Sequence, residues 1–382
     1  MATLKKLDKN QYEVRWSEYD ADGKRHQGKR LFERKNIADD FMRSLDPNKV
    51  HVGKPATFST WIDEWFEAYK PRIEATTIIG YESIIARCKE HFREAELSKI
   101  KPMHIEKFYQ MLVAPDHPLS KNPLSSSRAQ RHHALLHRAF VFAVRDGLID
   151  FNPCDRVDPP KSSRQEPSLP EMDDLQARLD ELKGTALYLC CVLALITGRR
   201  ESDIMGLKWS DADLKNNKLY ICRVRQYLGK KHIDKMTLNA NTRVIPNLSG
   251  YIERDYTKSK KTYTQTMPAE LVALLRAEKK HQAANRLKFG PLYFDSDFIC
   301  VYEDGQPVGK NAFSRAMKGV CRFHDLRHIN GTQSLAAGHD PITVAHRLGN
   351  DPQTLIKFYA HLVEEKERKA AGLMPSIIKI ET

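Results

Sequence analysis

Two proline-marked polar breaks set the limits on how this chain can fold. One is His51-Val-Gly-Lys-Pro55 and the other is Asp158-Pro-Pro-Lys-Ser-Ser-Arg-Gln-Glu-Pro167. Proline fixes its own φ and has no amide donor, so neither stretch continues a helix or sits inside a sheet. Three segments follow: 1–54, 55–158 and 159–382. Dividing the 382 residues by ~150 per domain also gives two or three domains.

In the first segment Tyr12, Val14 and Trp16 alternate with charged neighbours, the period-2 pattern of a half-buried strand. Asp20-Ala21-Asp22-Gly23 reads as a turn, and a second strand follows around Arg25 to Phe32. Lys35 to Leu45 looks helical, with Ile37, Phe41 and Leu45 on one face. The expectation is strand, turn, strand, helix: a small basic β-ribbon of the kind that enters a DNA groove, or else an extension with a solvated face.

The second segment has helical periodicity throughout. Thr57 or Ser59 caps a helix carrying Trp61, Trp65, Phe66 and Tyr69, which Pro71 ends. Thr76 opens another through Tyr81, Ile84 and Ile85. Ile105 to Leu112 forms a third and Ser125 to Asp146 a fourth. The fourth sets Arg128, Arg131, His132, His133, His137 and Arg138 against Leu135, Leu136, Phe140 and Val144. Such a helix packs on one side and either touches phosphates or faces water on the other. No carboxylate accompanies the histidines at ligand spacing, so no metal is expected there. The third segment is mostly helical, interrupted by a strand-like region from Leu219 to Met267.

Composition narrows the function classes. Lys plus Arg is 62 against 49 Asp plus Glu, a formal charge of +13. That surplus favours nucleic acid over membrane as the partner. The start, MATLKKLDKN, has no apolar core, so no secretory signal is expected. The most apolar stretch, Ala186 to Ile196, falls short of the ~20 residues of a membrane span. The seven cysteines show no Cys-x-x-Cys spacing, which suits reduced thiols in a cytosol and not a disulfide or zinc scaffold.

Four clusters in the third segment could carry chemistry. Thr197-Gly-Arg-Arg-Glu-Ser-Asp203 ends an apolar helix at Gly198, and an arginine at such a junction can be held rigidly against an oxyanion. Thr257-Lys-Ser-Lys-Lys-Thr-Tyr263 would place a lysine at a hairpin tip, where it could protonate a leaving oxygen. His324-Asp-Leu-Arg327 pairs a proton-transfer group with an anion anchor on one helix face. Leu348-Gly-Asn350 precedes Tyr359-Ala-His361, with Asn350 or Asp351 as the cap of the tyrosine's helix. Each cluster also has a bland reading: solvated arginines, a water-facing turn, a structural His/Arg pair, a core tyrosine. The stretch Ile342 to Leu362 could also pass for a helix-turn-helix.

Taken in order, these clusters resemble the tyrosine recombinase family, specifically the phage-type integrases, over nearly the whole chain. The resemblance implies a multidomain, mainly α protein. It would comprise a small β-ribbon-plus-helix arm-binding domain, a helical-bundle core-binding domain, and a mixed α+β catalytic domain with a small antiparallel sheet. It implies that Arg200 and Arg327 bind the non-bridging oxygens of a scissile phosphate, with His324 beside it. Lys260 would be the general acid on the departing 5′ oxygen, with Lys261 its rival, and Tyr359 the nucleophile. Arg199 occupies a variable position, and Asp203 a usually acidic, structural one. Asn350 departs from the family's His or Trp; it could still donate a hydrogen bond to phosphate but cannot exchange protons. The run Arg225 to Tyr256 is longer than the family's usual connection, which leaves strand pairing there open.

The implied chemistry is strand cutting and rejoining through a 3′-phosphotyrosine. That bond conserves the phosphodiester energy, so neither metal nor ATP nor any other cofactor is implied. The implied partners are double-stranded DNA at core and arm sites, a homotetramer on DNA with the tail Ala360 to Thr382 docked on a neighbouring subunit, a host bending protein and an excisionase. No membrane is involved, and the place is a bacterial cytoplasm. Two rivals share these residues: a type IB topoisomerase, and a non-catalytic DNA-binding regulator on the same scaffold.

Overall fold

The computed structural model describes residues 2–8, 11–19, 25–33, 35, 37–38, 56–115, 123–161, 169–236, 238, 240–258 and 261–358. The chain divides into two compact units, 1–164 and 165–382.

The first unit begins with an antiparallel sheet in the order β1 (Ala2–Asp8), β2 (Gln11–Tyr19), β3 (Arg25–Phe32). Strand β2 falls where alternation places it, and β3 where the second strand is expected. Strand β1 corrects the expected two-stranded ribbon. Its two leucines, Leu4 and Leu7, lie three apart, so the stretch shows no period of two. Pairing with β2 supplies the order that the pattern lacks, with Leu4 opposite Val14. Trp16 lies opposite Gly28, and a Cβ on Gly28 would come within 2.3 Å of the indole. The expected turn at Asp20 to Gly23 lies outside the described residues. So does the expected 35–45 helix, apart from Lys35, Ile37 and Ala38, which are helical.

Among the described residues four longer helices follow in this unit: α1 (Phe58–Tyr69), α2 (Ala75–Phe92), α3 (Pro102–Val113) and α4 (Ser126–Arg145). The Thr57 hydroxyl caps α1, accepting from the Thr60 amide at 3.4 Å. Their apolar faces meet in an aromatic core. Phe58 packs on Phe92 with centroids 4.8 Å apart, Phe92 on Phe108 at 5.3 Å, and Trp61 stacks near Phe140 at 6.2 Å. Burying each such ring removes roughly 150–250 Å² from water, which is what holds a small bundle together.

The second unit contains α5 (Met172–Glu181), α6 (Ala186–Thr197) and α7 (Glu201–Met205). Strands β4 (Ala212–Asp213), β5 (Lys218–Ile221), β6 (Val224–Tyr227), β7 (Thr242–Val244), β8 (Tyr251–Arg254) and β9 (Tyr263–Thr266) follow, with a turn of helix α8 (Lys230–Ile233) after β6. The unit closes with α9 (Ala269–Phe289), α10 (Ala312–Ala316), α11 (Phe323–Ala336), α12 (Pro341–Leu348) and α13 (Pro352–Phe358). Helix α6 is apolar on every face because it runs through the core, packed among Leu271, Leu275, Ile299, Phe313 and Leu326.

The strand-like region resolves into two antiparallel sheets, β4-β5-β9 and β6-β8-β7. The long run from Arg225 to Tyr256 is therefore a sheet in its own right. Its central strand carries Glu253, which is 2% exposed and ion-paired with Lys208 at 2.6 Å and Arg243 at 2.5 Å. A buried carboxylate persists only when paired in this way. One expectation fails as a result. Strands β8 and β9 belong to different sheets, so the lysine-rich stretch from Thr257 to Tyr263 links two sheets and is not a hairpin tip. Among the described residues no helix is long and apolar enough to cross a membrane. All seven cysteines are free thiols.

Candidate active site

The site is built around the C-terminus of α6. Gly198 caps that helix in the left-handed region (φ +64°), and its amide returns to the Ala194 carbonyl at 2.8 Å. The carbonyls left over at a helix end need donors. Here each finds a side chain from a distant element. Asn330 on α11 donates to Leu195 O at 2.7 Å, and Arg347 on α12 to Ile196 O at 2.9 Å. Gln265 on β9 donates to Thr197 O at 3.1 Å and to Arg347 O at 2.7 Å. Arg327 on α11 donates to Gly198 O at 2.9 Å. The negative end of the helix dipole favours these cations as well. Gln265, Asn330 and Arg347 were not singled out from the sequence. Their acceptors are main-chain carbonyls, which leave no mark on a residue pattern.

Arg200 caps α7, its amide donating to buried Asp203 at 3.3 Å. Burial pushes the Asp203 carboxyl upward, opposed by Arg200, Arg199 and Arg327. The Arg200 guanidinium donates to Gly349 O and to Asn350 Oδ1, both at 3.2 Å. Arg327 is 3% exposed. It donates to Leu348 O at 2.6 Å and, through its other terminal nitrogen, to the same Asn350 Oδ1. One amide oxygen therefore receives two guanidiniums, one of them from a residue 150 positions away. Two cationic donors fix which end of the amide is oxygen, so the Asn350 NH₂ group points away from the pair. Gly349 adopts φ +70° at the end of α12, the left-handed turn that presents its carbonyl and Asn350 to the arginines.

His324 lies on α11 one turn before Arg327, with its ring edge-on to His328 at 4.8 Å. Partial burial, then His328, Arg327 and Arg200, push its pKa down to about 4, so it is neutral at physiological pH, although part of the ring stays open to solvent. Arg199 points inward from the same turn as Arg200 and is 1% exposed. Lys260 and Tyr359 lie outside the described residues, as does Tyr359's expected helical setting beyond α13. Lys261 is exposed, and its carbonyl accepts the Thr257 hydroxyl at 2.6 Å. Lys258, not singled out from the sequence, is exposed in the same connection. Leu355 anchors α13 in a cluster with Leu335, Val344, Ala345 and Leu348. Among the described residues no group of His, Cys, Asp and Glu has the arrangement of a metal site.

The basic face of the first unit needs one correction. His132 is not on it. It is 2% exposed, edge-on to Phe108, with Nδ1 on the Arg128 carbonyl at 3.0 Å. His133 contacts the Tyr109 hydroxyl at 2.9 Å, and His137 contacts Asp155 at 2.8 Å, a carboxylate supplied by the turn after α4. Arg72, Arg138 and Arg145 line an open groove with Tyr69 and Phe142.

Comparison with known proteins adds two kinds of likeness. Residues 171–366 match the model of the phage integrase family, and residues 57–113 match that of the phage integrase N-terminal SAM-like domain. An integrase of Saccharopolyspora erythraea is 23% identical over 86% of this chain and 84% of its own length. The Tn1549 transposon integrase in complex with transposon right end DNA superposes with a TM-score of 0.64 at 18% identity, over 82% of this chain and all of that one. A lambda integrase from a tetramer bound to a Holliday junction gives 0.56 at 18% identity, over 91% of this chain and 95% of that one.

Proposed function

Because the chain belongs to the phage integrase family and is a site-specific tyrosine recombinase, we propose that it cuts and rejoins DNA through Tyr359, with Arg200 and Arg327 holding the scissile phosphate. The observation that carries the proposal is the convergence of both guanidiniums on Asn350 Oδ1. Their positions are set by backbone carbonyls before any substrate arrives, and preorganised charge of this kind stabilises a phosphorane without reorganisation. The phenol oxygen attacks phosphorus and the P–O5′ bond breaks. Lys260 or Lys261 gives a proton to the departing oxygen, and neutral His324 can accept the phenol's proton. A second 5′-hydroxyl reverses the sequence on a new strand. A phenol with a pKa near ~10 is a poor nucleophile at neutral pH, and the two cations favour its ionised form. The NH₂ group of Asn350, turned away from the arginines, donates to a phosphate oxygen where the family has His or Trp.

The wider reading is that of a mobile-element or viral-genome integrase. Residues 1–54 take arm-type sites, 55–158 core sites, and 159–382 carry the chemistry. A tetramer on two DNA sites, with help from a host bending protein and an excisionase, completes the assembly in the host cytoplasm, at the nucleoid. The lambda tetramer on a Holliday junction supports the oligomeric part, and the groove lined by Arg72, Arg138 and Arg145 supports a DNA contact by the bundle.

Replacing Tyr359 with Phe should abolish covalent capture of a nicked suicide duplex while leaving duplex binding nearly unchanged. Capture that survives overturns the assignment. Plasmid relaxation without recombinant product would favour a topoisomerase instead.

A further inference from the structure

One buried cation has no part in this chemistry. The Arg199 guanidinium lies 3.9 Å above the Tyr263 ring, and among the described residues its Nε and Nη1 have no hydrogen-bond acceptor. Gly349 closes over it: a Cβ there would come within 2.6 Å of Arg199 Nη1 and 3.1 Å of the Tyr263 ring. Covered in this way and 1% exposed, Arg199 has no route to a phosphate.

It does join two parts of the site. Tyr263 opens β9, two residues after Lys261, and the Thr257 hydroxyl bonded to Lys261 O closes the lysine-bearing connection just before it. On the same face of β9, Gln265 bonds to Thr197 O. Side chains two apart on a strand point the same way, so β9 is fastened to the arginine turn at two adjacent points. A guanidinium suits the upper one because its charge is held over the face of the ring.

We infer that Arg199 is a positioning residue: its stack on Tyr263 sets the distance from the lysine-bearing connection to the Arg200–Arg327 pair, and so aims the general acid at the departing 5′ oxygen. This rests on the reading that a lysine of that connection is the general acid, and the test separates the two. A suicide duplex with sulfur in place of the bridging 5′ oxygen releases a thiolate, which needs no proton donor. On an ordinary duplex under binding-saturated conditions Arg199→Met is expected to slow cleavage about 100-fold, the scale of a ~1 Å misplacement. On the sulfur-bridged duplex its rate should return to within a few-fold of wild type. Tyr263→Leu, which removes the ring and keeps the arginine, should show the same split. Arg199→Lys should recover part of the loss.

Lys258→Ala, Lys260→Ala and Lys261→Ala are measured alongside. If one of them is rescued by sulfur while Arg199→Met and Tyr263→Leu are equally slow on both duplexes, or slow on neither, the inference is wrong and the general acid stands. If no lysine variant is rescued, the general-acid reading falls and takes this inference with it.

Discussion

Each unit has a set of arginines placed in its own way, and the two ways are opposite. In the helical bundle Arg72, Arg138 and Arg145 are exposed and lie on aromatic faces: Arg138 over Tyr69 at 5.7 Å, Arg72 and Arg145 over Phe142 at 5.7 and 5.5 Å. In the second unit Arg327 and Arg225 are buried and end in main-chain carbonyls. Arg327 reaches Gly198 O and Leu348 O, while Arg225 reaches Met205 O at 2.8 Å and Val308 O at 2.7 Å. An exposed arginine on a ring face keeps donors turned to solvent and can reach a DNA backbone, whereas one locked to carbonyls is held in one place. The first arrangement suits binding, where contacts add up and tolerate variation. The second suits a transition state, where one position is worth more than all its neighbours.

The strongest test of this contrast is Arg327→Ala. It removes a phosphate ligand and leaves the Gly198 and Leu348 carbonyls without their donor, so cleavage should fall by about 1,000-fold or more. Thermal stability should drop too, because a buried acceptor that loses its partner costs about 1–3 kcal/mol. Cleavage kept within tenfold would put the phosphate elsewhere. Asn350→Asp is subtler. A carboxylate between two guanidiniums makes stronger bonds than an amide, so the melting temperature should hold or rise. The same charge repels the substrate phosphate, and cleavage should fall about 100-fold. A parallel loss of both properties would mean that Asn350 does no more than hold the fold together.

In the bundle the expected effects are smaller. Arg138→Ala combined with Arg145→Ala should weaken DNA binding about tenfold and lower the salt slope by ~1.8, about 0.9 for each phosphate no longer neutralised. Cleavage of the DNA that remains bound should not change; a change there would blur the division between the units. The smallest effect is a titration. By NMR the His324 ring in the free protein should protonate near pH 4. The unfolded chain protonates this ring near 6.5, so the stability it contributes is present above that pH and is lost as pH falls from 6.5 towards 4. A midpoint left near 6.5 would mean that the ring is neither desolvated nor crowded by His328 and the arginines in this way.

What could be read from the sequence followed local rules. The stop at Gly198, the shared face of His324 and Arg327, the alternation of β2 and the cap at Thr57 each depend on neighbours within a few residues. What could not be read depended on distant partners. Strand β1 lacks alternation and is ordered by pairing with β2. The stretch from Leu219 to Met267 reads as strand-rich, but nothing local assigns β8 and β9 to different sheets. His132 looks like its basic neighbours until the bundle closes Phe108 over it. The role of Asn350 depends on two arginines converging on one oxygen, and no spacing rule in a single chain encodes that. Lys260 and Tyr359 remain proposals resting on resemblance and chemistry.

The turn at Gly349 and Asn350 has a thermodynamic corollary. Helix α13 begins two residues after the amide that both guanidiniums grip, so α13 and the proposed anion site share one short piece of backbone. A free-energy coupling between two binding events works equally in both directions. A contact that moves α13, and Asn350 with it, would change how tightly the arginines hold an anion. By the same factor, an anion held there changes where α13 rests. If the pair binds a phosphate as proposed, its occupancy and the placing of α13 are two readings of a single equilibrium.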